Sequence, residues 1–495
     1  FKQYCCATLT NEGTVRWYLM HRAAPVASSK VRSCSTRCSP SFGSGWGGRR
    51  APWKPLLMST RRRERRISAG AGRSSRTDAA VRPAQETRGA PSGPRRRSLS
   101  SLLYVLPPIL LLLYITLHHR RSNDLRAEGD PVLPVYDRGL VKREITYREV
   151  LSEHSRVSDD TSFRRFPNPV LAYVTPWNSL GYEMAERFGS KLTHVSPVWY
   201  DLKSEESKFV LEGRHNADTG WISRIKAHRK LSVLPRVVLE AFPSEMLQKK
   251  KQRDKVIRIL VTECREMGYD GIVLESWSRW AMYGVLHDID LRKKALDFVK
   301  ELAVAMHSVN SSANPNGQLE LVYVIPAPRS QDIKEHDFGP NDLEELSDAV
   351  DGFSLMTYDF SGPHNPGPNA PLLWIRSCLQ LLLGNNDLVE WHQANKIFLG
   401  LNFYGNDFIL TEGLGGEAIT GRDYLSLLQR HKPALRWENR SAEHVAIYSH
   451  NDIKHAVFYP SLMSISMRLD EAQAWGAGLS IWEIGQGLDY FFDLL

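Results

Sequence analysis

Aromatic and acidic side chains recur where short apolar segments in the second half of the chain end. Trp177 follows one such segment, and Glu275 and Trp277 close another. Further segments end in the same way, at Trp199-Tyr200-Asp201, Glu240-Ala241-Phe242, Tyr358-Asp359-Phe360, Asn402-Phe403-Tyr404 and Trp482-Glu483. A flat aromatic ring suits the apolar C–H face of a pyranose, while carboxylates and amides suit its hydroxyl rim. These residue types predict a sugar-binding cleft, provided that the fold gathers them in one place.

Eight short, β-branched apolar segments alternate with amphipathic helical stretches and so predict an α/β fold. The segments are 170–175, 192–198, 233–239, 269–277, 319–325, 353–358, 397–403 and 478–482. Strands that alternate with helices indicate a parallel sheet covered by helices. About 330 residues for eight units favour a closed (β/α)8 TIM barrel over residues 168–495, with a small insertion at 407–459 between strands seven and eight. A barrel would bring the carboxyl ends of all eight strands to one face.

A dinucleotide-binding sheet is the main alternative to the barrel. Its fingerprint, Gly-x-Gly-x-x-Gly, does not follow the first apolar segment, so this alternative is excluded. No His, Cys or carboxylate spacing suggests a metal site, and Cys34-x-x-x-Cys38 has no second ligand pair. Cys264 and Cys378 alone give the folded part no disulfide framework. We therefore expect neither a metal nor a cofactor.

Several motifs in strand order carry a family resemblance. The run 270–277 resembles D-G-x-D-x-D-x-E, Met356–Asp359 matches M-x-Y-D, and 400–405 resembles G-x-P-F-Y-G. Together with Trp482, these motifs resemble glycoside hydrolase family 18, the chitinase family, over residues 168–495. The resemblance implies a ligand made of chito-oligosaccharide or another N-acetylglucosamine-containing glycan, with lipopolysaccharide as a further candidate. The binding residues that it implies are Trp177, Asp270, Glu275, Trp277, Met356, Tyr358, Asp359, Asn402, Tyr404 and Trp482.

The departure from the family motif concerns its catalytic end. In the family, the last Glu is the general acid and the Asp two residues earlier orients the substrate; these roles fall on Trp277 and Glu275 here. Side chains alternate with period two along a strand, so Val273, Glu275 and Trp277 should share one face, with Trp277 nearest the mouth. An indole N–H cannot protonate a departing glycosidic oxygen. The sequence therefore predicts a glycan-binding protein without hydrolytic activity.

Two other functions stay open at this stage. The first is a divergent family 18 hydrolase that uses a displaced carboxylate: Glu275 or Asp359, or one recruited from Glu240 or Glu483. The second is a protein whose barrel face or insertion binds a receptor protein, with an unused sugar cleft.

A basic, low-complexity arm precedes the barrel. Residues 1–130 carry 24 Lys and Arg against 7 Asp and Glu, whereas the remainder is mildly acidic and suggests no nucleic-acid surface. Residues 1–98 show no sustained apolar period and are predicted to be disordered. The uncharged run Leu99–Leu117 between basic clusters predicts a single-pass transmembrane signal anchor, with residues 118–167 as a stem. A cleaved signal peptide is disfavoured because no small-residue cleavage site follows.

The location of the barrel follows from that anchor and from two Asn-x-Ser sequons. Asn310 and Asn439 each begin a sequon, which favours a lumenal or extracellular barrel. We therefore expect a membrane-anchored or secreted glycoprotein. The family resemblance adds an endomembrane and lysosomal route.

Overall fold

Eight parallel strands close into a barrel in the computed structural model, which describes residues 6–9, 15–18, 131–205, 208–228, 231–311, 317–384, 391–410 and 415–495. The barrel strands are Val170–Val174, His194–Glu205, Ser232–Val233 continued by Arg236–Leu239, Gly271–Glu275, Glu320–Pro326, Gly352–Met356, Ile397–Asn402 and Gly478–Trp482. Each pairs with the next in chain order, and the eighth pairs with the first, so the ring is closed. The predicted TIM barrel is confirmed, and its mouth is the face at the carboxyl ends of the strands.

Helices cover the outside of the barrel and follow most strands. They are Ser179–Phe188, Thr219–His228, Pro243–Met246, Lys250–Met267, Trp277–Met282, Ile289–His307, Pro340–Ser347, Leu372–Leu383, Trp391–Ala394 and Leu462–Ala474, with a final 3-10 helix at Asp489–Leu494. The helix Lys250–Met267 shows why they form: Val256, Leu260 and Cys264 recur on one face and are buried. Gly268 then ends that helix in the left-handed conformation, at φ 65°.

Apolar side chains form one layer inside the barrel and another outside it. The inner layer consists of Leu171, Tyr173, Leu234, Val273, Val322, Val324 and Phe398, with Val198, Met356 and Trp482 packed against it. The outer layer joins the strands to the helices. Because strand side chains alternate between the two layers, the inner set identifies the side chains that point to the barrel axis. Those near the carboxyl ends of the strands line the mouth.

The segment between strands seven and eight folds as a small α/β unit. Its five antiparallel strands are Gly405–Ile409, Gly415–Ile419, Leu435–Glu438, Glu443–His450 and Ile453–Phe458, and its helix is Gly421–His431. Thr420 caps that helix: its hydroxyl accepts from the N–H of Asp423, whose carboxylate accepts from the N–H of Thr420. The first strand of this unit starts three residues after strand seven ends, so the unit rises from the mouth of the barrel.

The predicted stem differs in the structure, because residues 131–167 are folded against the barrel. This segment includes the helix Tyr147–Glu153 and buries apolar side chains, among them Val135, Leu140, Ile145 and Phe166. The N–H of Arg165 donates to the carbonyl oxygen of Leu495 at 2.6 Å. The folded domain therefore includes residues 131–167. Sequence periodicity missed this segment because its apolar residues come in ones and twos among charged and polar residues, with no sustained period.

A chain that starts at residue 168 should not fold stably. Burial of each apolar side chain of this segment contributes about 1.5–3 kcal/mol, and several together approach the 5–15 kcal/mol that stabilises a typical domain. We expect residues 131–495 to unfold cooperatively and residues 168–495 to show a strongly lowered thermal midpoint or to aggregate, as measured by circular dichroism. Equal midpoints for the two chains would contradict the packing described here.

Within the described ranges, no helix combines the length and apolar character that a membrane crossing requires. The predicted span Leu99–Leu117, residues 118–130 and nearly all of the basic arm lie outside those ranges. In the arm, only the backbone of an antiparallel hairpin is described, between Cys6–Leu9 and Val15–Tyr18.

Candidate functional site

An arginine and a glutamate meet at the axis of the barrel, just below its mouth. Glu275 ends strand four, and Arg236 lies on the inner face of the neighbouring strand three. The Nε of Arg236 donates to Oε2 of Glu275 at 2.7 Å, and its Nη2 donates to the same oxygen. Burial disfavours the guanidinium charge, but Glu275 outweighs that cost and raises the pKa of Arg236. The guanidinium of Arg236 is therefore held in its charged form beside Glu275.

This ion pair lies against the aromatic ring that ends strand eight. The guanidinium carbon of Arg236 is 5.2 Å from the ring centroid of Trp482, within range of a cation–π interaction. The ring of Tyr173 lies 5.2 Å from Trp482 on another side, and its hydroxyl hydrogen-bonds with that of Ser354 at 2.8 Å. The side chains of Arg236 and Glu275 are 15% and 17% exposed to solvent, so water reaches the pair. Thus Glu275 and Trp482 lie together at the floor of the mouth.

A second carboxylate, Asp359, follows strand six in the left-handed backbone conformation, at φ 58°. Its N–H donates to Oδ1 of Asn369 at 2.7 Å, and Arg329 donates to its carbonyl oxygen at 2.6 Å. The hydroxyl of Tyr404 donates to its carboxylate. Burial raises the pKa of Asp359, while the bond from Tyr404 lowers it in part. Tyr358 packs edge-on to Tyr404, with their ring centroids 6.3 Å apart.

The remaining predicted mouth residues have different surroundings. Trp177, on the loop after strand one, is 42% exposed, so its ring is available to a ligand. Met356 packs on the inner apolar layer beside Trp482. Asn402 is buried, and its Nδ2 donates to the carbonyl oxygen of Tyr404 at 2.8 Å. Asn402 therefore shapes the turn that carries Tyr404, and its amide group is already engaged.

Trp277 does not lie at the mouth, contrary to the expectation from strand periodicity. Strand four ends at Glu275, Ser276 leaves the extended conformation, and Trp277 begins the helix Trp277–Met282. Its indole is 1% exposed and lies 4.9 Å from the ring of Phe338, outside the barrel. Its Nε1 donates to the carbonyl oxygen of His336 at 3.0 Å. The alternation of side chains stops where the strand stops, so residue 277 no longer shares the face of Glu275.

Asp270 lies at the opposite end of strand four, away from the mouth. Its Oδ2 accepts from the N–H of Val233 at 2.8 Å and pairs with Lys226 at 2.7 Å, and Oδ1 accepts from Ser311 at 3.1 Å. It is 2% exposed. These bonds join the starts of strands three and four, so Asp270 supports the barrel and is not a ligand-binding residue.

The carboxylates considered as recruits are also engaged. Glu240 accepts from Arg279, and Glu483 is fully buried behind Trp482. Asp201, on strand two, is half-buried; burial raises its pKa, and the charge of Arg236 lowers it. Among the described residues, no group of three His, Cys, Asp or Glu side chains is placed to hold a metal ion.

Sequence reasoning missed Arg236, the residue that defines the floor of the mouth. The available signal was a single charged residue inside the apolar run 233–239. A charge in a buried strand needs a partner, and the inner face of a closed barrel supplies one from the next strand.

A comparison with protein families supports the sequence resemblance. The sequence model of "Glycosyl hydrolases family 18" matches residues 170–487, which is more than half of the chain. A curated relative, the "Uncharacterized glycosylase YvbX" of Bacillus subtilis (strain 168), is 26% identical over 186 residues, or 37% of this chain. The match spans about half of that relative's length, 52%.

Solved structures agree with the fold. A chitinase from Chromobacterium violaceum ATCC 12472 superposes with a TM-score of 0.54 at 20% identity, covering 66% of this chain and 97% of that one. A mutant of the class V chitinase from Nicotiana tobaccum, in complex with NAG4, has a TM-score of 0.50 at 15% identity and covers 66% of this chain and 97% of its own. At these identities the likeness concerns the fold alone.

Proposed function

The chain belongs to family 18 of the glycosyl hydrolases, and from that premise we propose that it binds N-acetylglucosamine-containing oligosaccharides without cleaving them. The observation that carries the proposal is the ion pair between Arg236 and Glu275. Glu275 is the carboxylate of the fourth-strand motif that reaches the mouth. A general acid must present a proton to the glycosidic oxygen, whereas Oε2 of Glu275 is occupied as the acceptor of two N–H donors from Arg236.

The arrangement of the mouth supports a sugar ligand. Trp482 and Trp177 offer aromatic faces, and Glu275 and Asp359 offer carboxylate oxygens that accept from hydroxyl or amide N–H groups. The neighbour from Nicotiana tobaccum was solved with NAG4, a ligand of the same class. Chito-oligosaccharide is therefore the first ligand to test, and the glucosamine-containing head of lipopolysaccharide the second.

Within the family, the runs 352–359, 364–371 and 480–483 resemble chitinase domain-containing protein 1. We extend the proposal to a membrane-anchored or secreted protein with a lumenal barrel, anchored through Leu99–Leu117, and to a receptor protein as partner. Asn439, the first residue of one sequon, is exposed between two strands of the insertion, which supports a lumenal location.

Replacing Trp482 with alanine should weaken binding of chitotetraose at least about tenfold, which corresponds to about 1.4 kcal/mol, because the ligand loses its stacking surface at the floor of the mouth. Trp177→Ala should weaken binding to a smaller degree, since Trp177 lies on an exposed loop. Isothermal titration calorimetry measures both dissociation constants.

Phe163→Ala is the matched control, because Phe163 is an exposed aromatic ring, 56% accessible, on the segment that packs at the other end of the barrel. It should bind as the wild type does. Unchanged binding by Trp482→Ala, or no wild-type binding at millimolar chitotetraose, would reject the proposal. Shortened oligomers after incubation would instead support the alternative of a divergent hydrolase, for which the raised pKa of Asp359 makes that residue the candidate acid.

A further inference from the structure

We propose that Glu483 and Asn178 are positioning residues that hold the two aromatic surfaces of the mouth, Trp482 and Trp177, in place, and that acidification reduces sugar binding by weakening their contact. The inference rests on the proposed function for its ligand. It concerns a different part of the molecule, behind the surface that a sugar would touch.

The contact joins the loops that follow strands one and eight. Glu483 directly follows Trp482, and Asn178 directly follows Trp177. The Nδ2 of Asn178 donates to Oε2 of Glu483 at 2.7 Å, and the N–H of Gly485 donates to Oε1 at 3.1 Å. One carboxylate thus satisfies a side-chain donor from the first loop and a backbone donor from the last.

The surroundings leave this carboxylate little freedom to move. Glu483 has no exposed surface. A Cβ atom added to Gly181 would lie 2.4 Å from Oε1 of Glu483, and one added to Gly485 would lie 2.7 Å from Nδ2 of Asn178. Close approach of two glycines is therefore what allows the loops to meet, and the carboxylate cannot rotate away without separating them.

Protonation would disturb this arrangement, because the carboxylate accepts from two donors and a neutral carboxyl group carries a hydrogen on one of its two oxygens. A proton on Oε2 would face the amide hydrogens of Asn178, and a proton on Oε1 would face the N–H of Gly485. The Asn178 amide can turn to offer its oxygen, whereas the backbone N–H cannot. When Glu483 takes up a proton, we therefore expect the Asn178 amide to turn and the bond between the two loops to lose its charge-assisted strength, which loosens the loop that carries Trp177.

This change falls in an accessible pH range. Burial raises the pKa of Glu483 to about 7, with the hydrogen bonds from Asn178 and Gly485 opposing the rise. On the helix Ser179–Phe188, which packs against Glu483, the titratable neighbour is Tyr182, whose own pKa is raised by burial, so it stays neutral between pH 5 and 8. The side chains packed from strand one, such as Val174, do not titrate.

The test compares wild type and Glu483→Gln across pH with chitotetraose, a ligand without a titrating group. We expect the wild-type dissociation constant to rise severalfold between pH 8 and pH 5.5, and that of Glu483→Gln to stay nearly constant at the weaker value. Asn178→Ala should also bind weakly at pH 8. Glu183→Gln, an exposed residue of the same helix, should keep the wild-type pH profile. A Glu483→Gln variant with the wild-type profile would overturn the inference.

A ligand-free measurement separates this inference from the proposed function. Tryptophan fluorescence of the wild type should change with a midpoint near pH 7, and Glu483→Gln should lack that transition. If the transition is present but no sugar binds at any pH, the positioning role stands and the proposed ligand is wrong. If sugar binds and the wild type shows no transition, the positioning role is wrong and the proposed function stands.

Discussion

Replacing Trp277 with glutamate, which restores the residue type of the family's general acid, should give no hydrolysis of chitotetraose and should destabilise the fold. Trp277 is 1% exposed and packs on Phe338 outside the barrel. Truncating such a buried Trp costs about 3–5 kcal/mol, and burying a carboxylate in its place adds a desolvation cost. The guanidinium of Arg292, 5.1 Å from the indole ring, already pairs with Asp342 and so offsets little of that cost.

Urea unfolding at pH 7.5 measures this loss of stability, and chromatography of labelled chitotetraose detects cleavage. Trp277→Phe is the matched control: it keeps an apolar ring against Phe338 and should lose much less stability. Hydrolysis by Trp277→Glu above the wild-type level would show that residue 277 reaches the mouth, and would contradict the position described here.

The placement of Trp277 marks how far strand periodicity can be carried. The eight strands were predictable because buried parallel strands form apolar runs separated by helices. The period-two rule also placed Val273 and Glu275 correctly on the inner face. It failed at residue 277 because Ser276 leaves the extended conformation, at ψ −27°. A strand's end depends on contacts with the next helix, which a local pattern does not contain.

Two other differences have the same origin. Asp270 carries a motif residue type, yet it lies at the base of strand four, where it bonds Val233 and Lys226. Its position in the motif indicated a ligand contact. It lies five residues before Glu275, at the end of the strand away from the mouth, and there it stabilises the barrel. Arg236 was unremarked because its role depends on Glu275, which is 39 residues distant in sequence. Which residues contact each other across neighbouring strands depends on the strand register. The register is known only from the assembled sheet, not from the sequence of either strand.

Replacing Arg236 with alanine should destabilise the protein by about 3–5 kcal/mol at pH 8, because Glu275 would remain as a largely buried carboxylate without its partner. A charge that loses its partner in this position is costly, because the surrounding protein solvates it less well than water does.

Urea unfolding at pH 8 measures this loss of stability. The double variant Arg236→Ala/Glu275→Gln should recover part of it, because the carboxyl group is replaced by a neutral amide. Arg236→Lys keeps the charge but not the forked donors, and should fall between wild type and Arg236→Ala. Stability of Arg236→Ala within about 0.5 kcal/mol of wild type would show that the pair contributes little.

The same variant tests whether the ion pair between Arg236 and Glu275 alone would account for an absence of hydrolysis. Removing Arg236 takes away the group that occupies Glu275, yet we expect Arg236→Ala to cleave no chitotetraose. A strand rises about 3.3 Å per residue, so Glu275 sits about 6–7 Å below the level at which the family motif carries its acid. General acid catalysis needs hydrogen-bond reach to the glycosidic oxygen as well as a suitable pKa. On the proposed function, hydrolysis would require two separate changes: release of Glu275 from Arg236 and a carboxylate at the level where the family motif carries its acid.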